Sequence, residues 1–236
     1  MGPDSRGDGD AFSGAPGQRG SGRRLALAAA VLAAAFVGVW AGTRDGVPWV
    51  DASLHRFAVE HRSAASLHIA TLVTQGGSTR LVWPLLALAT VLYARSMPLR
   101  RWPALVVFVA GVSGGIAARL AVSILVSRAR PPAIDWAGAA GGYAFPSGHT
   151  TAATLGAAAL AWAVSHQRPR VVRLTVWSLA AVYAAAVGWS RVWLGVHWPL
   201  DVVGGWLFAS AWLSTLAWAT AATSQWLDRR NQPTAR

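Results

Sequence analysis

Residues 103–127 read PALVVFVAGVSGGIAARLAVSILVS, a stretch in which Arg119 is the one charged side chain. At 1.5 Å per residue such a run is longer than the roughly 30 Å hydrocarbon core of a bilayer, so it reads as a transmembrane helix. Further apolar runs occupy 25–40, 80–95, 147–165, 174–190 and 200–224. Six spans of about 20 residues would use roughly half of a 236-residue chain, which leaves short loops and no second globular domain. With 54% hydrophobic and 13% charged residues, the composition excludes an ordinary soluble domain and a disordered chain. The expected fold is therefore an all-α integral membrane protein of six transmembrane helices.

The flanks follow from the same reading. Residues 1–22, rich in Gly, Asp, Ser, Pro and Arg, cannot bury a core and are expected to be a disordered cytoplasmic tail. A six-helix membrane domain is expected over 23–226 and a short cytoplasmic tail over 227–236. The run at 25–40, preceded by Arg23 and Arg24, reads as a retained helix in preference to a cleaved signal peptide, because the segment before it is long and many spans follow. Residues 49–75 mix His55, Arg56, Glu60, His61, Arg62 and His68 with apolar side chains, too polar for a span, and are expected to form an amphipathic interfacial helix between spans one and two. The pair Gly111 and Gly115 has the spacing of a close helix contact and says nothing about function.

All 21 basic residues are arginine, which excludes any mechanism that needs a lysine, and the chain has no cysteine for a disulfide, a thiolate nucleophile or a Cys-ligated metal. A net charge of +12 would suggest nucleic acid in a soluble protein. Here the arginines instead follow a membrane topology. With the N-terminus inside, Arg6, Arg19, Arg23, Arg24, Arg95, Arg100, Arg101, Arg168, Arg170, Arg173, Arg229, Arg230 and Arg236 all fall on the cytoplasmic side. The outside holds only Arg44, Arg56, Arg62, Arg80, Arg128, Arg130 and Arg191. Trp40, Trp49, Trp102, Trp136, Trp198 and Trp226 lie near expected span ends, where amphipathic rings favour the interface. The partners expected are the bilayer and a lipid, with no nucleic acid; oligomeric state is not legible.

This topology puts three polar clusters on the outer side. Pro199 suits the first turn of a helix, so span six starts there with Asp201 in its first turn and His197 just before it. A carboxylate four residues on can take the proton of one imidazole nitrogen and leave the other a directed lone pair, the arrangement of a nucleophilic histidine. Alone, the pair reads equally as an interfacial histidine beside a helix-capping aspartate. Ser147 can cap span four, Gly148 leaves backbone N–H groups open to an anion, and His149 is placed as a general acid. Alone, that stretch too could be only a cap. Arg130 and Arg191 offer planar bidentate donors that match phosphate oxygens.

Together these residues resemble the phosphatidic acid phosphatase type 2 superfamily, whose active site is shared with bacterial acid phosphatases and vanadium haloperoxidases. The family pattern is a Lys-x6-Arg-Pro element, a Pro-Ser-Gly-His element and a Ser-Arg-x5-His-x3-Asp element. The second matches as Pro146 to His149, the third as Ser190, Arg191, His197 and Asp201. The first keeps Arg130-Pro131 but has Ser123 where the family has its lysine; Arg119 and Arg128 are the candidate substitutes. By this resemblance His197 would attack phosphorus, Asp201 would orient it, and His149 would protonate the leaving oxygen. Arg130, Arg191, Ser147, Gly148 and Ser190 would hold the phosphoryl oxygens. No cofactor and no metal are implied, because arginines supply the charge. The expected activity is metal-independent hydrolysis of a lipid phosphate or diphosphate at the outer membrane face: a polyprenyl diphosphate, phosphatidic acid or phosphatidylglycerol phosphate. Phosphotransfer to another acceptor, or non-catalytic binding of a lipid phosphate, are the alternatives.

Overall fold

The computed structural model describes residues 16–95, 102–165 and 168–230. Within them the chain forms eight α-helices and no strand. Six occupy the six apolar stretches: α1 (Pro16–Ala41), α4 (Thr79–Arg95), α5 (Trp102–Val126), α6 (Gly148–Ser165), α7 (Arg170–Trp193) and α8 (Pro199–Arg230). The other two, α2 (Trp49–His61) and α3 (Ala64–Thr74), lie between α1 and α4. By length and apolarity, α1, α5, α7 and α8 can each cross a membrane, and α3 with α4 passes as one broken span bent by 47°.

The helix that falls short of that standard is the central one. α6 is surrounded by α4, α5, α7 and α8. It is built from small residues, with Ala152, Ala153, Ala157, Ala158, Ala159, Ala161 and Ala163 all buried. Small side chains let neighbouring backbones approach closely, and a helix covered by other helices needs no leucines for lipid. Beside it, Val82, Leu86, Val112 and Leu155 form the main apolar cluster, with Tyr93, Phe108 and Trp162 packed at one end. α1 packs along α8 on the outside of the bundle.

The segment expected to be one interfacial helix is two helices. The chain is extended at Arg62, and Ser63 starts α3 with a reciprocal capping box: its hydroxyl accepts the Ser66 N–H while the Ser66 hydroxyl takes the Ser63 N–H. α2 turns Asp51, His55 and Ala58 inward at i, i+4, i+7 spacing, so it plugs polar groups into the protein. α3 gives way to α4 at Gly76 and Gly77. A Cβ at 77 would stand 2.5 Å from the His149 carbonyl oxygen and one at 76 would stand 2.6 Å from the Tyr183 hydroxyl, so only glycine allows this corner against α6 and α7. Both expected tails lie mostly outside the described residues. Helix takes in 16–22 and 227–230, because extending an established helix costs far less than starting one.

Candidate active site

Four helix ends meet at one end of the bundle. α5 stops at Ser127, whose φ of 51° turns the chain out of the helix. α7 stops at Gly195, φ +71°, where the N–H groups of Leu194, Gly195 and Val196 bond back to Ser190, Val192 and Arg191. α6 and α8 begin there. Through Arg119, the Pro146–Gly148 turn lies level with a point about two turns inside the α5 C-terminus, so the 128–147 segment dips back into the bundle before α6 starts.

The start of α8 builds the centre of the site. Pro199 occupies the first helical position, and the two orphan N–H groups beside it are each met by a buried carboxylate. Asp201 Oδ2 accepts from Trp198 N at 2.9 Å and Asp51 Oδ1, from α2, accepts from Leu200 N at 2.8 Å. Asp201 Oδ2 also lies 3.3 Å from His197 Nδ1, while Arg130 Nη1 stands 2.9 Å from His197 Nε2. A guanidinium can only donate, so Nε2 is the unprotonated nitrogen and the proton sits on Nδ1, facing the carboxylate. Asp201 thus both caps α8 and faces the His197 ring. Burial first, then the positive charges of Arg130, Arg191 and Arg119, hold the His197 imidazole well below the usual histidine pKa.

Arg128 joins the two carboxylates. Its Nη1 donates to Asp201 Oδ1 at 2.6 Å and its Nη2 to Asp51 Oδ2 at 2.5 Å, and both acids are wholly buried. Burial raises the Asp51 pKa, and the bond to Arg128 opposes that rise. Arg130 spends its other donors on loop carbonyls: Val196 at 2.7 Å, Gly141 at 2.8 Å and Gly142 at 3.0 Å. Burial lowers its pKa, and Asp201 counters the shift.

Arg191 is 3% exposed. Its Nη1 donates to Thr74 Oγ1 at 2.8 Å and Nη2 reaches the Ala139 carbonyl at 3.4 Å, but among the described residues nothing accepts from its buried Nε. A charged donor sealed away from water without an acceptor is costly unless a ligand supplies one. Ser147 is fully buried: its N–H bonds to the Asp201 carbonyl at 2.9 Å, its hydroxyl accepts from Thr150 at 2.9 Å, and its carbonyl accepts from Thr151 N. His149, half-buried in the first turn of α6, is within electrostatic reach of Arg191, Arg130, Arg119 and His197. The three sequence clusters therefore meet in one cage. The Ser190 hydroxyl turns away from it, bonding back to the Val187 carbonyl at 2.7 Å, and Ser123 is buried on α5. No three His, Cys, Asp or Glu side chains converge as a metal site among the described residues.

Sequence reasoning missed Asp51 and Thr74. Asp51 was detectable as an acid sharing a helical face with His55 and Ala58. Nothing in the run Thr74-Gln-Gly-Gly signals that Thr74 meets an arginine more than a hundred residues away. A cleft of about 510 Å³ opens beside Arg128 and Arg130, between the ends of α1 and α5, walled by Trp40, Leu125, Val126 and Trp198.

Fold and site define an all-helical membrane protein with a buried His–Asp pair caged by arginines at one end of the bundle. The chain belongs to the PAP2 superfamily, whose family model matches residues 102–226. It is 41% identical over 75 residues to an undecaprenyl-diphosphatase of Sulfolobus acidocaldarius, covering 32% of each chain. It is 39% identical over 92 residues to phosphatidylglycerophosphatase B of Escherichia coli, covering 38% of this chain and 30% of the relative. The matched segments thus span about a third of the curated relatives' length. In fold it is similar to the transmembrane PAP2 type phosphatidylglycerolphosphate phosphatase of Bacillus subtilis, with a TM-score of 0.69 at 21% identity over 88% of this chain and 99% of that one. It is also similar to Aquifex aeolicus LpxE, with a TM-score of 0.53 at 20% identity over 71% and 94% of the two chains. Asp51 and Thr74 lie outside the family segment.

Proposed function

We propose that this protein is a metal-independent phosphatase acting on a membrane lipid phosphate or diphosphate through a phosphohistidine. The observation that carries the reading is the His197 ring, its Nδ1–H on a buried carboxylate and its bare Nε2 turned toward guanidinium groups. The arginine cage suits a tetrahedral oxyanion.

In the first step Nε2 of His197 attacks the terminal phosphorus, the P–N bond forms, and the P–O bond to the leaving oxygen breaks, that oxygen belonging to the lipid alcohol of a monophosphate or to the lipid monophosphate of a diphosphate. His149, protonated in the substrate complex where phosphate charge offsets the surrounding arginines, gives its proton to the leaving oxygen. The positive charge left on the His197 ring is stabilised by Asp201. In the second step His149 takes a proton from water as the water oxygen attacks phosphorus, the P–N bond breaks and inorganic phosphate leaves. Arg130, Arg191, Ser147 and Gly148 are assigned to the phosphoryl group; Ser190, whose hydroxyl proton goes to the Val187 carbonyl, supports the site only through its place at the end of α7. The Arg191 Nε without a protein acceptor supports that part of the assignment.

The cleft beside Arg128 and Arg130 supports a lipid substrate, since its wall joins apolar side chains to guanidinium groups as an amphiphile requires. The substrates named for the relatives make a polyprenyl diphosphate the first candidate and phosphatidylglycerol phosphate the next, with phosphatidic acid behind them. All six apolar helices are assigned as spans of one domain over 23–226, with α2 at the interface, both termini cytoplasmic and the site on the outer face; the arginine distribution supports this orientation. The test is phosphate release by the purified, detergent-solubilised protein from these three lipids, with and without chelator, and with His197→Ala and His149→Ala as controls. Release by wild type alone, unaffected by chelator, is expected. Chelator sensitivity refutes the metal-free step, and transfer without free phosphate makes the protein a phosphotransferase.

A further inference from the structure

The family pattern that this chain resembles has a lysine at the position of Ser123. Ser123 is buried, stands one turn short of the α5 C-terminus and carries no charge. Arg128 cannot supply the charge, because two buried carboxylates already offset it. Arg119, one helical turn deeper on the same face, can. Its Nε and Nη2 both donate to the Pro146 carbonyl, at 2.7 and 2.5 Å, which fixes the guanidinium plane against the turn that starts α6. Nη1 has no protein acceptor among the described residues. It lies along Gly148, where a Cβ would stand 3.1 Å from Nη1 and 3.0 Å from Cζ, so the absence of a side chain at 148 is what leaves this edge open. Arg119 also lies within electrostatic reach of Arg130, Asp201, His149 and His197, which are the groups around the phosphoryl position.

Side chains on a helix lean toward its N-terminus, which carries Arg119 away from the α5 C-terminus. The fold removes that obstacle by dropping the start of α6 to the level of Arg119. We propose that Arg119 is a phosphate-binding residue of this site, its Nη1 edge donating to a phosphoryl oxygen beside Gly148 and replacing the cation that position 123 lacks. The inference rests on the phosphatase reading for its substrate. Its geometry requires only that a phosphate-shaped oxyanion bind in the cage.

The test measures orthovanadate affinity by calorimetry in detergent, independently of turnover, for wild type, Arg119→Gln, Arg119→Lys and the double variant Arg119→Gln with Ser123→Lys. Glutamine keeps a donor for the Pro146 carbonyl but removes the charge. A lost charge-assisted bond corresponds to roughly 10- to 100-fold weaker vanadate binding, and the lysine at 123 should recover most of it. Arg119→Lys should lose less than about tenfold, as expected when charge is kept and planar geometry lost. Wild-type affinity in a folded Arg119→Gln variant overturns the proposal, because Arg119 then only holds the Pro146 turn. If the glutamine variant does not fold, a folded Arg119→Lys variant with no vanadate binding overturns it equally. Wild type that binds vanadate but hydrolyses no lipid phosphate refutes the phosphatase reading and leaves the Arg119 test intact.

Discussion

Asp201→Asn separates orientation of the nucleophile from binding. The carboxylate faces three donors and no acceptor: Arg128 Nη1 at 2.6 Å, Trp198 N at 2.9 Å and the Nδ1 proton of His197 at 3.3 Å. A carboxylate has about four lone-pair sites for them, whereas an asparagine amide has one acceptor oxygen and two N–H donors. Whichever way the amide turns, its nitrogen meets a donor. If it meets His197, the ring must take the other tautomer, and Nε2 then presents a proton to Arg130 in place of a lone pair. If it meets Arg128 or Trp198, a buried donor is left unpaired. In every arrangement the positive charge that builds on the attacking ring loses its counter-charge in a fully buried site. Breaking such a pair costs about 3–5 kcal/mol, equivalent to roughly a 10²- to 10⁴-fold drop in kcat. Phosphate release is the assay, with the thermal midpoint and gel-filtration profile in detergent to establish that the variant is folded. A folded Asp201→Asn enzyme within tenfold of wild-type kcat would refute the assignment of Asp201 as the residue that orients His197.

Asp51→Ala removes one of the two acids that hold Arg128 and exposes the Leu200 N–H. It should lower kcat about tenfold or more with little change in KM, because Asp51 acts through Arg128 and Asp201; an equal rise in KM would place it in substrate binding instead. His197 is held neutral by burial and by arginines, so protonating it opposes folding. Above the ordinary pKa of about 6.5 it makes no difference between folded and unfolded chains, and stability falls as pH drops below that value. Thermal midpoints measured from pH 8 to pH 5 should show this acid-side loss, and His197→Asn should reduce its slope. In the proposed mechanism the same shift keeps His197 unprotonated before substrate binds, so the acid limb of kcat/KM assigned to it should lie below pH 6.5. Gly77→Ala places a Cβ 2.5 Å from the His149 carbonyl, so the α6 N-terminus must move; a stability loss of about 1–3 kcal/mol together with a fall in kcat is expected, and wild-type turnover would show that this corner does not position His149.

Much of the fold was legible because a membrane imposes a simple rule on sequence: each run of apolar residues long enough to reach across becomes a helix. The helices at 79–95, 102–126, 148–165, 170–193 and 199–230 fall where the apolar runs lie. The rule reads single helices and not their neighbours, so it mistook α2 and α3 for one surface helix. The break depends on a serine capping box and on two glycines pressed against other helices, and the inward face of α2 has meaning only once α8 is beside it. For the same reason α6 does not pass as a span by length and apolarity: its surroundings are protein, and its alanines suit a packed centre.

The chemistry divides along the same line. The sequence by itself determined which groups are available, because the residue types and local spacing of Pro146 to His149 and of Ser190 to Asp201 are written along the chain. The four-residue step from His197 to Asp201 is short enough for a helix start to bring the two side chains together without help from elsewhere. Only the tertiary structure decided what each arginine touches. Arg128 is committed to two carboxylates, Arg130 stands beside His197 Nε2, Arg191 has a buried nitrogen without an acceptor among the described residues, and Arg119 reaches the turn at Gly148. A guanidinium at the end of a long side chain can serve any acceptor within several ångströms. Its role is fixed by contacts such as Asp51 and Thr74, which come from helices distant in the chain and leave no local trace in the sequence.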